Sequence, residues 1–176
     1  MSRLSEGYTP KETSMGCNQT LLKDYRNRSE ISTLILEQLE ELCFRMRKQG
    51  RACQRVSLGI QYSRDWGGSF SRSYMMETPS NLASDLHKAC IHLFQRFDKG
   101  DPVRVISLSV SKFCEDTSEQ LSIFEDPFQR ERQKNLVNAM DEISSRYGKN
   151  SILRAVSYTE NATMRRRNTQ VGGHHA

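Results

Sequence analysis

The stretch Val56-Ser57-Leu58-Gly59-Ile60-Gln61-Tyr62-Ser63 decides the fold. Val56, Leu58, Ile60 and Tyr62 alternate with Ser57, Gly59, Gln61 and Ser63, so a strand built from it has one apolar and one polar face. Residues 103–113 repeat the pattern: Ile106, Leu108 and Val110 point one way, and Ser107, Ser109 and Ser111 the other. After the first strand, Asp65-Trp66-Gly67-Gly68 marks a turn, and Ser69 to Met76 reads as the return strand of a hairpin. Upstream, a further extended segment is expected within 14–25, from Ser14 to Leu22.

Helical periodicity fills the intervals. Asn27 and Glu30 have the spacing of a capping box, in which each side chain satisfies backbone donors left free by the first turn. Ile31, Leu34, Ile35, Leu39, Leu42, Cys43 and Met46 then recur on one helical face, and Gly50 supplies the stop. Thr78-Pro79-Ser80 opens a second helix, whose buried side carries Leu82, Leu86, Ala89, Cys90, Leu93 and Phe97. Asp126-Pro127 begins a third, with proline at its favoured first position. Leu136, Val137, Met140, Ile143 and Tyr147 form its apolar stripe, and Gly148 closes it. A short extended segment from Ile152 to Tyr158 follows, and little fixed structure is expected from Thr159 onward.

Helices that bury one stripe each need a common surface, and an antiparallel sheet provides it. The expected class is α+β: a four-stranded antiparallel sheet with two helices on one face, plus an extra C-terminal helix and a basic tail. The expected divisions are a linker at 1–13, the sheet domain at 14–114, an acidic loop at 115–127, the added helix and extended segment at 128–158, and a flexible basic tail at 159–176.

With 176 residues, of which 36% are hydrophobic and 27% charged, the chain suits one domain with tails. No run approaches the roughly 18 apolar residues of a membrane span, and no secretion signal is apparent, so a cytosolic protein is expected; the isolated chain is expected to be monomeric. Cys17, Cys43, Cys53, Cys90 and Cys114 are scattered without a C-x-x-C pair, which fits reduced thiols. His87 and His92 are five apart and diverge on a helix, and His174 and His175 lie in a Gly-flanked tail, so no metal site is expected. The net charge of +5 is unevenly spread. Acidic residues gather between Glu115 and Asp126, while arginines recur elsewhere and cluster at Arg165-Arg166-Arg167. A basic body with one acidic loop suits a polyanionic partner and a second kind of contact at the loop; an ordinary basic surface would have the same composition.

The polar sheet face and the acidic loop carry the functional signal. The face presents Arg55, Ser57, Gly59, Gln61 and Ser63 from one strand, Ser107, Ser109 and Ser111 from another, and Ser69, Ser71 and Ser73 with nearby Arg72 from the hairpin. Small hydroxyl and glycine positions admit a nucleic-acid backbone, and hydroxyls and amides can donate to phosphate oxygens. Alternation alone leaves a second reading open, the wet face that antiparallel sheets normally keep. An RNA-recognition sheet would need exposed aromatics on its central strands, and Tyr62 is in phase with the apolar side. In the loop, Gln120-Leu121-Ser122-Ile123-Phe124 sets three large apolar residues among acidic ones. Such an exposed cluster usually has a partner; the alternative is that it folds back onto the domain.

Gln120 to Phe124 is similar to the bacterial sliding-clamp-binding pentapeptide at every position. Arg55-Val56-Ser57-Leu58 and Ser107-Leu108-Ser109-Val110-Ser111 resemble the central strands of the little finger of Y-family lesion-bypass DNA polymerases, as does Gly16 to Asp24 with the helix after it. The loop, the helix after it and Arg146-Tyr147-Gly148-Lys149-Asn150-Ser151-Ile152-Leu153-Arg154-Ala155 resemble the UmuC/ImpB/MucB/SamB-type, UvrX-like branch. The resemblance covers roughly residues 10–176. It implies a domain that grips primer–template DNA, with backbone contacts at Ser14, Met15 and Gly16 and further contacts from Ser57, Gln61, Ser63, Ser107, Ser109 and Ser111. Val105, Ser107 and Ser109 stand where some relatives place arginines, which shifts the expected grip toward Arg55, Arg64, Arg72 and Lys112. It also implies clamp docking through Gln120, Leu121, Ser122, Ile123 and Phe124.

A Y-family palm holds two magnesium ions on carboxylates. No such set is visible here, and Glu115-Asp116, the comparable pair, lies in the acidic loop. The expectation is therefore a non-catalytic chain with no cofactor of its own, from a magnesium-dependent parent polymerase active in DNA repair. The alternatives are a stand-alone clamp- or protein-binding adaptor that does not touch DNA, and a small enzyme of unrecognised chemistry.

Overall fold

Residues 13–116, 126–171 and 174–175 are described by a computed structural model of the chain. Period-two alternation yields four strands: β1 (Ser14–Tyr25), β2 (Arg51–Tyr62), β3 (Ser69–Ser80) and β4 (Val103–Glu115). They form one antiparallel sheet in the order β1-β4-β2-β3, so the two clearest strands of the sequence are the central pair. Helices α1 (Arg28–Lys48) and α2 (Ala83–Phe97) cover one face. Val56, Leu58 and Ile60 of β2 and Ile106, Leu108 and Val110 of β4 are fully buried beneath Ile31, Leu34, Ile35, Leu39 and Leu42 of α1 and Leu86, Cys90 and Leu93 of α2. Each such side chain contributes about 1.5–3 kcal/mol on leaving water. The expected α+β class is the one observed.

The helix termini differ from expectation in two places. Asn27 caps α1, its Oδ1 accepting from the Ser29 amide at 2.9 Å. Glu30 does not complete the box; its carboxylate accepts from Asn161 Nδ2 at 2.7 Å. The second helix starts at Ala83 rather than at Thr78-Pro79-Ser80, because β3 runs on through Ser80. Pro79 is tolerated there because β3 is an edge strand. Ser80 Oγ turns the chain, accepting from the Leu82 amide at 3.1 Å and donating to Asp85 at 2.6 Å.

Helix α3 (Pro127–Tyr147) starts at the expected proline, with Asp126 accepting from the Phe128 amide at 3.0 Å. Its apolar stripe is not buried as expected: Leu136 is 58% and Tyr147 74% exposed. The reason is that α1 turns Glu40, Glu41 and Arg47 toward it, so only Val137 and Met140 reach an apolar space, a cavity of about 160 Å³ shared with Phe44, Ile152 and Leu153. Ion pairs attach the helix instead. Arg47 grips Asp141 through two bonds of 2.6 and 2.9 Å, Arg130 lies 3.2 Å from Asp85, and Lys134 lies 3.8 Å from Asp116.

The segment after α3 is also more ordered than its composition suggests. Ala155–Tyr158 is a 3₁₀ turn rather than an extended piece, and Met164–Arg167 forms a short helix, α4, in what was expected to be a flexible tail. The cause is an acidic ridge on α1. Glu37 Oε2 accepts from the Thr163 amide at 2.9 Å, the Thr163 hydroxyl at 3.1 Å and the Met164 amide at 3.0 Å. Glu40 pairs with Arg154, and Glu41 with Arg167. Thr163 and Met164 are buried by this docking. Gln170–Val171 then pairs antiparallel with His174–His175.

Glu37→Ala strips three donors of their acceptor, and hydrogen bonds to a charged group are worth ~1.5–3 kcal/mol each. We expect a loss of stability of at least that size for one bond, with trypsin cutting at Arg165–Arg167 much sooner than in the wild type. A pH effect follows from His87, whose Nε2 lies 3.0 Å from both the hydroxyl and the carbonyl of Ser32. Burial holds its pKa below the usual 6.5. Between 6.5 and that lowered value the unfolded chain binds a proton that the folded chain does not, so stability falls as pH drops through the window. His87→Gln should flatten that part of a melting-temperature profile, and an unchanged profile would refute the assignment.

Candidate nucleic-acid interface

The register of the sheet sorts its uncovered face into four cross-strand rows. From one end they are Ser14, Ser111, Arg55 and Met75; then Gly16, Ser109, Ser57 and Ser73; then Asn18, Ser107, Gly59 and Ser71; then Thr20, Val105, Gln61 and Ser69. The period of two that buries Val56, Leu58 and Ile60 necessarily turns Ser57, Gly59 and Gln61 outward. The result is a floor of hydroxyls and bare backbone that spans the sheet. Hydroxyls tie neighbouring strands, Ser57 to Ser73 at 2.9 Å and Ser107 to Asn18 at 3.1 Å. A Cβ at Gly16 would stand 3.2 Å from the Leu108 carbonyl, and one at Gly59 would stand 3.3 Å from the Ser107 Cβ. Glycine at both keeps the strands close and the backbone open to a ligand.

The structure places Ser14, Gly16, Arg55, Ser57, Gln61, Ser107, Ser109 and Ser111 together on this face. Met15 lies on β1 between them, with its side chain buried and its backbone at the sheet edge. Arg64 is exposed in the β2–β3 turn, and Lys112 is exposed at the far end of β4, where its φ of 55° breaks the alternation. Two expectations are corrected. Ser63 is buried, and its hydroxyl donates to Asp24 at 2.7 Å, because the chain has left the strand by then. Arg72 lies opposite Leu58, on the helix side, with its guanidinium 5.0 Å over the Phe97 ring. An odd–even count from Ser69 would have put Arg72 there, since Ser71 and Ser73 take the outer positions. Asn18 and Thr20 belong to the face and were missed, although Ser14, Gly16, Asn18 and Thr20 share the same alternation in the sequence. Gln120 to Phe124 lies outside the described residues.

Arg55 is the one cation in the four rows, so the floor itself is close to neutral. Hydroxyls and backbone groups on such a surface can position phosphates, contacts that carry no sequence information directly. Four of the thiols are held protonated. Burial pushes Cys17 up to about 11 and Cys53 up to about 12, and raises Cys43 and Cys90 as well. Among the described residues no three His, Cys, Asp or Glu side chains converge on a point. Glu115 closes β4 and Asp116 follows it, its carboxylate 3.8 Å from Lys134. Among the described residues no helix is long and apolar enough to cross a membrane.

Comparison with known proteins identifies relatives of the chain. The UV-damage repair designation UvrX of Bacillus subtilis (strain 168) belongs to a protein 40% identical over 164 residues, 93% of this chain and 39% of that protein. DNA polymerase IV 2 of the same organism is 33% identical over 177 residues, covering 96% of this chain and 42% of that one. The chain thus spans about two fifths of the length of these relatives. A solved complex of the beta-clamp processivity factor and the little finger domain of PolIV contains a distant likeness, with a TM-score of 0.47 and 20% identity over 64% of this chain and 99% of that one. The profile of the impB/mucB/samB family C-terminal domain matches residues 12–123, which contain the whole four-stranded sheet and both covering helices. The chain belongs to that family and carries its C-terminal domain, the little finger of the Y-family DNA polymerases.

Proposed function

We propose that this chain is the DNA-holding part of a lesion-bypass polymerase, seating primer–template duplex on the uncovered sheet face. The observation that carries the reading is the continuous floor of serine, threonine, asparagine and glycine across all four strands, with Arg55 among them. A face that is merely wet has no need for small residues in every row, and long charged side chains are the commoner choice for one. Phosphate positioning without base contacts suits an enzyme that must accept any sequence. With Val105, Ser107 and Ser109 in place of arginines and Arg72 turned away, the grip depends on Arg55, Arg64, Lys112 and the hydroxyl floor. Gln120, Leu121, Ser122, Ile123 and Phe124 are the proposed docking peptide for the sliding clamp, tethering the polymerase where DNA is being copied. The nucleotidyl transfer, with its two magnesium ions, belongs in this reading to a palm elsewhere in the parent, and the chain by itself is monomeric, cytoplasmic and non-catalytic.

Titrating primer–template DNA at several salt concentrations tests the grip. Binding should weaken steeply as salt rises, because phosphate contacts release counterions. Ser57→Asp and Ser109→Asp, made singly because the two positions face each other across β2 and β4, should each cost about tenfold in affinity, since a carboxylate would face phosphates. Absence of binding at low salt would leave the adaptor reading. Nucleotide incorporation by the chain with magnesium would overturn its non-catalytic assignment.

The tether is tested separately. Leu121→Ala with Phe124→Ala should abolish retention on immobilised bacterial clamp and leave DNA affinity unchanged; retained clamp binding would refute the docking peptide.

A further inference from the structure

We propose that Trp66 is a stacking platform for an unpaired nucleobase at the end of the sheet where the duplex-holding face stops; this rests on the DNA reading above. Trp66 sits in the β2–β3 turn and is 55% exposed. One face of its indole is covered by the Arg26 guanidinium, 5.1 Å from the ring. With that much of the side chain still in water, the other face is the open one. Tyr62, Phe70 and Phe97 form an aromatic cluster at this end of the domain, with ring centroids 6.3–6.5 Å apart. Trp66 is not part of it. An indole left in solvent beside an aromatic cluster gives up burial that any large aromatic would gain.

The turn fixes the backbone that carries the ring. The Trp66 and Gly67 amides both donate to the Ser63 carbonyl, at 3.1 and 2.8 Å, and the Tyr62 amide donates to the Gly68 carbonyl at 3.1 Å. Gly67 and Gly68 take φ values of 62° and 90°, which close the turn without strain. Ser63 is itself fixed, its amide donating to the Pro102 carbonyl at 2.9 Å and its hydroxyl to Asp24. This accounts for the burial that removed Ser63 from the sheet face: it anchors the loop that carries Trp66.

The surroundings select the ligand. The last row of the face, Thr20, Val105, Gln61 and Ser69, adjoins this turn, so a strand tracking along the sheet in that direction arrives at Trp66. Arg26, Arg64 and Lys99 flank the turn, with Asp65 as the acid within it; Arg104 and Arg28 are paired with Asp24 and Asp98. Aromatic platforms beside cations bind single-stranded nucleic acid, each base stacking without sequence preference. Interior bases of a duplex already cover both their faces and the last pair of a blunt end offers one, whereas a nucleotide beyond the paired region is free to lay a whole face on the indole. The ligand is therefore a single-stranded extension of the duplex.

Trp66 is the only tryptophan of the chain, so its emission reports the site directly. The measurement compares unlabelled blunt duplex with the same duplex carrying a short single-stranded overhang, following emission and, with labelled DNA, anisotropy. The tailed duplex should bind at least about fivefold more tightly than the blunt one and quench the emission, while blunt duplex leaves it nearly unchanged. Trp66→Ala should abolish the preference and keep blunt-duplex affinity; Trp66→Phe should retain much of it, which excludes a folding defect as the cause. Equal affinity for both DNAs with unchanged emission overturns the platform while leaving the duplex grip standing. Failure to bind either DNA overturns both. An emission change produced by the sliding clamp and not by tailed DNA overturns it in favour of a protein contact.

Discussion

The pairing of β2 with β4 sets Val56 against Val110, Leu58 against Leu108 and Ile60 against Ile106, and by the same register Ser57 against Ser109 and Gly59 against Ser107. Both faces of the domain hang on that one alignment. A slip of one residue would carry the aliphatics into water and push the serines beneath α1 and α2, where their hydroxyls would have no acceptors. The hydrophobic core therefore specifies the polar floor, and no separate stabilisation of the floor is required. What the floor does require is small side chains, and those add little to stability on an exposed surface.

A second layer of organisation is electrostatic and sits outside the core. Glu30, Glu37, Glu40 and Glu41 make the outer side of α1 an acidic ridge, and Asn161, Thr163, Met164, Arg154 and Arg167 close on it. Exposed ion pairs are individually weak. The ridge is different because the Glu37 carboxylate is buried together with the backbone amides that it satisfies. Helix α3 is held by the largely buried Arg47–Asp141 pair and its neighbours over a partly open cavity, and it leaves Leu136 and Tyr147 exposed. The chain thus grades from a packed sheet domain to a pinned C-terminal strap to a loosely seated helix.

The division of labour proposed here follows from that grading. In the proposal, a nearly neutral sheet face registers the phosphates of a duplex, and the segment after β4 would supply a peptide for a protein partner. The turn at the opposite end from Lys112 carries the one exposed indole of the chain. Ser63 links the two ideas, since its hydroxyl leaves the sheet face in order to fix that turn.

Alternation in 56–63 and 103–113 determined the strands, their buried and exposed faces and the α+β class, because a period of two is a local property that burial then enforces. The same alternation in 14–20 held Asn18 and Thr20, and that in 69–73 already excluded Arg72 from the outer face. Other features were beyond local reading. Glu30 has the spacing of a capping box, yet its partner is Asn161, distant in sequence. The region after Thr159 looks like a basic tail until α1 is folded and its four glutamates line up. The stripe on α3 reads as buried by period alone, and only the charged side of α1 facing it decides otherwise. Sequence by itself settled which residues share a face; tertiary structure decided which faces find a partner, because that depends on what long-range folding brings opposite them.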